Sequence, residues 1–252
     1  VAIICKNSEA TIGRTLDSVR GLAAEIVAVD SGSTDGTIPL LERHGARVIK
    51  SAWLGYGKTK QVALEACTQE WVLALDSDES VEPLLAASIR ANLSGGAAQH
   101  DAFELNRKVF YDGRFLDHAW QPEWRLRMVR RTKGRWTPVD PHESLELIDR
   151  PSASARTGRL GGDLRHDSFV TFAEQLRKQV GYAELAAKAE VAKGRSGSYW
   201  KLLTSPGGAF LKQLVLKQAF RDGWPGWLAA AATAQQALMK HAMTIELARK
   251  RK

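Results

Sequence analysis

Short β-branched runs alternate with helix-spaced segments through the first 93 residues, and this alternation limits the fold more than any other feature. Val1–Cys5, Ile26–Val29, Arg47–Ile49 and Trp71–Leu75 read as buried strands, and segments near 11–21, 36–44, 59–68 and 81–93 carry apolar residues at helical spacing. Strand–helix–strand repeats predict a mostly parallel central sheet with right-handed crossovers and helices on its faces, an α/β fold. Ligands of such sheets bind beyond the carboxyl ends of the strands. Asp30 follows the second run and Asp76 the fourth, so both fall on that edge.

The chain of 252 residues is long enough for one large domain or one domain with an appendage. Cys5 and Cys67 lie in apolar surroundings without metal-ligand spacing and read as small core residues of a reduced, cytoplasmic protein. The chain opens inside an apolar run without Met, so further residues are expected before Val1. The net charge of +8 is unevenly placed: residues 1–194 balance, whereas residues 195–252 hold ten Lys/Arg against Asp222 and Glu246 alone. A basic tail of this kind meets an anionic surface, either membrane or nucleic acid.

Asp76-Ser77-Asp78-Glu79 ends the fourth run abruptly in carboxylates. Side chains two apart on an extended segment share a side, roughly 6.5–7 Å from one another. Asp76 and Asp78 could thus address one hard cation, Mg²⁺ or Mn²⁺, with phosphates completing its shell. Acidic residues also favour helix starts, so capping by Ser77 or Asp78 is the rival reading, and Glu79 fits either the acidic cluster or the helix start. In Asp30-Ser31-Gly32-Ser33-Thr34-Asp35-Gly36-Thr37, small residues permit a tight turn that exposes backbone N–H groups. Asp35 reads as a helix cap. Asp30 stands too early to cap and can accept hydrogen bonds from a base or ribose.

The ordered set Lys6-Asn7-Ser8-Glu9, DSGSTDGT at 30–37, Trp53-Leu54-Gly55-Tyr56-Gly57 with Lys60, and WVLALDSDE at 71–79 resembles family-2 glycosyltransferases of the GT-A fold, of the lipopolysaccharide core β-glucosyltransferase type. The resemblance covers most of the chain. It implies inverting transfer of a sugar from a nucleotide-sugar donor, UDP-linked and most plausibly UDP-glucose, assisted by a divalent metal (Mg or Mn). By the same resemblance Asp30 contacts the base and Lys60 the nucleotide pocket, with a solvated helix lysine as the alternative for Lys60. Asp76 faces the ribose or the metal's water shell, and Asp78 is the direct metal ligand. Glu143, in Val139-Asp140-Pro141-His142-Glu143-Ser144, takes the position of the catalytic base, with Asp140 its local rival. His142 contacts a phosphate or packs, and His166 either joins the metal or diphosphate or is a surface residue before the next helix.

The segment Trp120–Arg131 reads as a strand with aromatic and Arg groups suited to an acceptor sugar. A polar break at 94–101 precedes it, and a helix carrying Phe169, Phe172, Leu176 and Val180 follows His166. Residues 1–167 are expected to form the nucleotide-sugar-binding catalytic domain, and 168–252 a helical extension. Within 199–228, Trp and Phe alternate with Lys and Arg as in membrane-interface segments, and the longest charge-free stretch, Gly223–Met239, is too short and polar to span a bilayer. The extension is therefore expected at an anionic membrane surface, on the cytoplasmic face of the inner membrane, with a lipid-linked saccharide as acceptor and no nucleic acid. A nucleic-acid-binding protein leaves the acidic motifs unexplained. A nucleotidyltransferase-like enzyme would need a Lys/Arg- and Gly-rich loop near the first strand, which this sequence lacks.

Overall fold

The computed structural model describes residues 1–95, 99–138, 143–148 and 156–250. It divides into two compact units, residues 1–107 with 123–167, and residues 108–122 with 168–252.

In the first unit the expected alternation is present. Strands β1 (Ala2–Cys5), β2 (Val27–Asp30), β3 (Arg47–Lys50) and β4 (Trp71–Asp76) pair in parallel in the order β3-β2-β1-β4. Between them run helices α1 (Glu9–Ser18), α2 (Thr37–Arg43) and α3 (Tyr56–Ala66). Beyond β4 the sheet changes direction: β8 (Trp124–Arg130) is antiparallel to β4, and β6 (Ala102–Tyr111) is antiparallel to β8. β11 (Thr157–His166) and β5 (Glu79–Val81) complete that edge; the far end of β6, from Lys108, belongs to the second unit and pairs there with β7 (Arg114–Phe115). Helix α4 (Pro83–Gly95) follows β5, and β9 (Gly134–Trp136) with β10 (Leu145–Leu147) forms a separate hairpin.

Alternation along the strands builds two cores. Ile3, Cys5, Leu73 and Leu75 pack with Ile12 and Leu16 of α1 and with Leu85 and Ile89 of α4. Ala2, Ile4, Val72 and Ala74 pack with Ala63 and Leu64 of α3 and with Trp136 and Leu145 of the hairpin. The same parity turns Asp76, two residues beyond Ala74, toward α3 and the hairpin. Cys5 and Cys67 are both buried and unbridged, and burial together with the Asp30 carboxylate pushes the Cys5 thiol up to about 12.

In the second unit helices α5 (Phe172–Ala192) and α6 (Tyr199–Leu211) pack against α7 (Trp224–Lys250). Hydroxyl caps start two of them: Thr171 accepts from the Glu174 N–H, and Ser198 from the Lys201 N–H. A simple division at residue 167 does not describe this unit, because residues 108–122 fold with it. The physical reason is Asp222, whose buried carboxylate accepts the backbone N–H groups of Asp117, His118 and Ala119 at 2.7–3.0 Å. Lys217 adds a bond to the Gln121 carbonyl at 2.9 Å. Among the described residues no helix is long and apolar enough to cross a membrane.

Candidate functional site

The loops leaving β1 and β2 are knitted to each other. Asn7 accepts from the Thr34 N–H and its own N–H donates to Ser33 Oγ, while the Glu9 carboxylate receives the Gly36 N–H. Asp30 is buried, and its Oδ1 accepts the N–H groups of Gly32 and Ser33 at 3.0 Å each while Oδ2 accepts the Ser33 hydroxyl. The Asp30 carboxylate therefore shapes its own turn, in which Gly32 takes a φ of +89° that side chains disfavour. Asp30, Gly32, Ser33, Ile38, Lys50, Ser51 and Ala52 line an open pocket of about 400 Å³. Lys50, which no sequence motif singles out, supplies the cation there. Asp35 takes the role expected of it, accepting from the Thr37 N–H and hydroxyl at the start of α2.

The Asp-Ser-Asp turn is pinned from the α1 side: the Ser77 hydroxyl meets Ser8 Oγ at 2.8 Å, and the Ser77 carbonyl accepts the Thr15 hydroxyl. Capping by Ser77 or Asp78 is not realised, because strand β5 separates them from α4, which starts at Pro83. Glu79 neither starts a helix nor joins an open acidic cluster. It is fully buried on β5, accepts the Asp76 N–H, and pairs with Arg127 at 2.6 Å and Arg107 at 3.3 Å.

From Glu79 an ion chain of alternating sign runs both ways. One arm continues from Arg107 to Glu123 at 2.6 Å and on to Arg125 at 2.8 Å. The other passes through Arg127 to Asp76 at 2.8 Å, then to Lys60 at 2.8 Å, and ends at Glu143, 2.9 Å from the Lys60 ammonium. Lys60 is only 7% exposed, so the solvated-helix alternative is excluded; its Nζ lies 4.8 Å from the centre of the Trp136 ring, with the Arg127 guanidinium 5.9 Å from the same ring. Burial alone would raise the Asp76 carboxyl, but Arg127 and Lys60 hold it well below the usual carboxylate range. Burial likewise works against the Arg127 charge, and Glu79 and Asp76 overcome it and push its value up. Asp76 thus meets one protein cation on each carboxylate oxygen.

Helix α3 carries the partners of the hairpin on one face. Gly57 lies so close to the Thr137 carbonyl that a Cβ there would sit 2.0 Å from the oxygen. Gln61 Oε1 accepts the Trp136 N–H at 2.8 Å, and Lys60 between them takes Glu143. Positions 57, 60 and 61 are helical neighbours, so one helix face sets the hairpin and the carboxylate at its end.

Asp78 and His166, distant in sequence, are brought together on the edge of the sheet. Gly162, at a φ of +88°, lets β11 run against the backbone that starts α4, and β11 pairs with β5 in a register that sets His166 opposite Glu79. His166 Nε2 then lies 3.5 Å from Asp78 Oδ2, while its buried Nδ1 has no hydrogen-bond partner. A carboxylate oxygen beside an imidazole nitrogen is a donor set suited to Mn²⁺ and, less well, to Mg²⁺. Among the described residues no three His, Cys, Asp or Glu side chains converge as a ready-made metal cage. A bound cation would thus take most of its ligands from phosphate and water, and the pair fits that role. His142 and Asp140 lie outside the described residues.

Sequence reading missed Arg107, Trp136 and Lys50, quoted Gly57 without a role, and set Arg127 toward an acceptor where the structure sets it on Asp76 and Glu79. Arg127 was legible as one residue of a half-buried strand, but nothing near it announces carboxylates 48 and 51 positions away.

A sequence model described as "Glycosyl transferase family 2" matches residues 1–133. The chain is 31% identical over 248 residues to the lipopolysaccharide core biosynthesis glycosyltransferase LpsC of Rhizobium meliloti, covering 94% of this chain and 88% of that protein. It is 27% identical to an uncharacterized glycosyltransferase of Rickettsia typhi, over 90% of this chain and 79% of the relative. Among solved structures, glucosyl-3-phosphoglycerate synthase from Mycobacterium tuberculosis, in complex with Mn²⁺, UDP and phosphoglyceric acid, superposes with a TM-score of 0.49 at 21% identity, over 75% of this chain and 76% of that one.

Proposed function

The chain belongs to glycosyl transferase family 2, and on that premise we propose that it is an inverting enzyme that moves a sugar, glucose from UDP-glucose, onto a lipid-linked glycan of the lipopolysaccharide core. One observation carries the reading: the first aspartate of the Asp-Ser-Asp turn and Glu143, on a separate hairpin, meet on the single ammonium of Lys60. Donor-side and acceptor-side groups are thereby held to one point. The relationship to LpsC along nearly the whole chain supports the choice of acceptor.

In this reading Glu143 is the general base. Lys60 engages Glu143 Oε1, and Oε2 is the atom we assign to the acceptor's proton. As the acceptor hydroxyl attacks the anomeric carbon, its proton passes to Glu143. The new glycosidic bond forms while the bond to the diphosphate breaks, inverting that carbon. Asp30 and Lys50 line the pocket for base and ribose, and Asp76, fixed by Lys60 and Arg127, faces the ribose. Asp78 and His166 would hold a divalent cation, which supplies positive charge to the departing diphosphate. Residues 1–167 provide these groups. The basic stretch 168–252 keeps the enzyme at the cytoplasmic face of the inner membrane, where a lipid-linked acceptor resides.

The test is a panel of nucleotide-sugar donors assayed for nucleotide release, with and without Mn²⁺ or Mg²⁺. We expect metal-dependent release from UDP-glucose and its loss in Asp78→Ala. Absence of release with every donor, or wild-type behaviour of Asp78→Ala, would overturn the reading.

A further inference from the structure

Helix α6 leaves an apolar stripe open to solvent. None of its residues is buried, and Trp200, Leu203, Gly207 and Leu211 recur at helical spacing along one side. Trp200 is 74% exposed and Leu203 76% exposed, and the stripe continues through the π-helical turn Lys212–Leu216 to Leu216, also 76% exposed. A Cβ built on Gly207 or Gly208 would meet nothing within 4 Å, so this side of the helix is uncovered at its middle. Exposed Lys201 and Lys212 bracket the ten residues Leu202–Leu211, which carry no formal charge.

The charges around this stripe identify its partner. Asp222 is the single acidic residue between Arg195 and Glu246, and its carboxylate is buried, consumed by three backbone N–H groups. The exposed surface of α6 and the turns after it therefore carries no acidic side chain of its own. A second copy of the chain docked on this stripe would set lysine against lysine, while Glu190 and Glu246 of the neighbouring helices are already taken by Arg195 and Lys250. Nucleic acid would be served by the lysines and Trp200, but gains nothing from bare leucines. An anionic bilayer answers both: phosphate headgroups meet the lysines, the indole sits at headgroup depth, and the leucines enter the acyl boundary.

We propose that α6 and the π-helical turn after it form an insertion element that lies in the interface of an anionic lipid membrane, with Leu203, Leu211 and Leu216 as its inserted side chains. This deepens the membrane placement given under the proposed function by adding apolar insertion to electrostatic attraction, and its test needs neither donor nor acceptor. A failed donor assay therefore leaves it standing, and failed vesicle binding leaves the transferase chemistry standing.

The experiment is co-sedimentation of the full chain with vesicles of phosphatidylcholine alone and of phosphatidylcholine with phosphatidylglycerol. Binding is expected to the anionic vesicles and to persist in part at high salt. It should fall at least about tenfold in Leu203→Gln/Leu211→Gln/Leu216→Gln, and about fivefold per lysine in Lys201→Gln/Lys212→Gln. The stripe is exposed, so these variants should keep the wild-type Tm. Should the triple variant unfold, Leu203→Cys bearing an environment-sensitive fluorophore gives a second readout, a blue shift when anionic vesicles are added. Equal binding of the triple variant, no shift at position 203, tighter binding to single-stranded RNA than to vesicles, or a wild-type dimer that the triple variant dissociates without loss of vesicle binding would each overturn the proposal.

Discussion

Lys60 holds two carboxylates at once, so its removal is felt on both sides of the site. Lys60→Met leaves Asp76 with Arg127 alone and releases Glu143. Breaking a buried ion pair costs about 3–5 kcal/mol, and the lower end applies because Glu143 keeps some access to water. The expected outcome is a Tm drop of that origin, turnover reduced at least about 100-fold, and UDP affinity within about threefold of wild type. A large loss of UDP affinity with turnover of bound donor intact would instead favour the direct nucleotide contact that the resemblance implies for Lys60. Asp76 makes a separate prediction about pH. Its folded carboxyl lies below the ordinary 3.8, so the stability it contributes is complete above roughly pH 5 and is lost as pH falls through the acid range. Wild-type Tm should therefore decline more steeply between neutral and acid pH than that of Asp76→Asn, which should start lower and run flatter.

Among the elements, α3 and the β9–β10 hairpin show how a helix sets a loop-borne carboxylate. The contact depends on Gly57 having no side chain, since any Cβ would meet the Thr137 carbonyl. Gly57→Ala should cost about 1–3 kcal/mol by overpacking and reduce turnover while UDP affinity holds, measured by thermal melts and nucleotide release. Local sequence announced a helix near 59–68 and a strand at Trp71–Leu75, observed at Tyr56–Ala66 and Trp71–Asp76, because periodicity and β-branching are properties of neighbours along the chain. It did not announce β11, because Gly158, Gly161 and Gly162 dilute any β-branched signal across Thr157–His166. Those glycines are explained only by what they touch: Gly162 meets the start of α4 and Gly158 meets Phe103. The acidic residues of the site were legible as a set. Of their cationic partners only Lys60 was, since Arg107 and Arg127 look like ordinary strand residues until the antiparallel half of the sheet closes.

At the scale of the whole molecule, ligand and stability are linked. Mn²⁺ with UDP at about 100 times the dissociation constant should stabilise the folded chain by about 2.7 kcal/mol, read as a rise in Tm. In Asp78→Asn the Mn²⁺-dependent part of that rise should vanish; an equal rise in both proteins would remove Asp78 from the metal. The division of the chain into interleaved segments has a further consequence, in time rather than in space. Asp117, His118 and Ala119 leave the ribosome 103–105 residues before the Asp222 carboxylate that their N–H groups require. At 5–20 residues per second that is a wait of roughly 5–20 seconds. Throughout it, the N–H groups of residues 117–119 lack their carboxylate while the strands on either side of the segment 108–122 are already available to pair, so the nascent chain carries an unfinished loop in the middle of its sheet until Asp222 emerges.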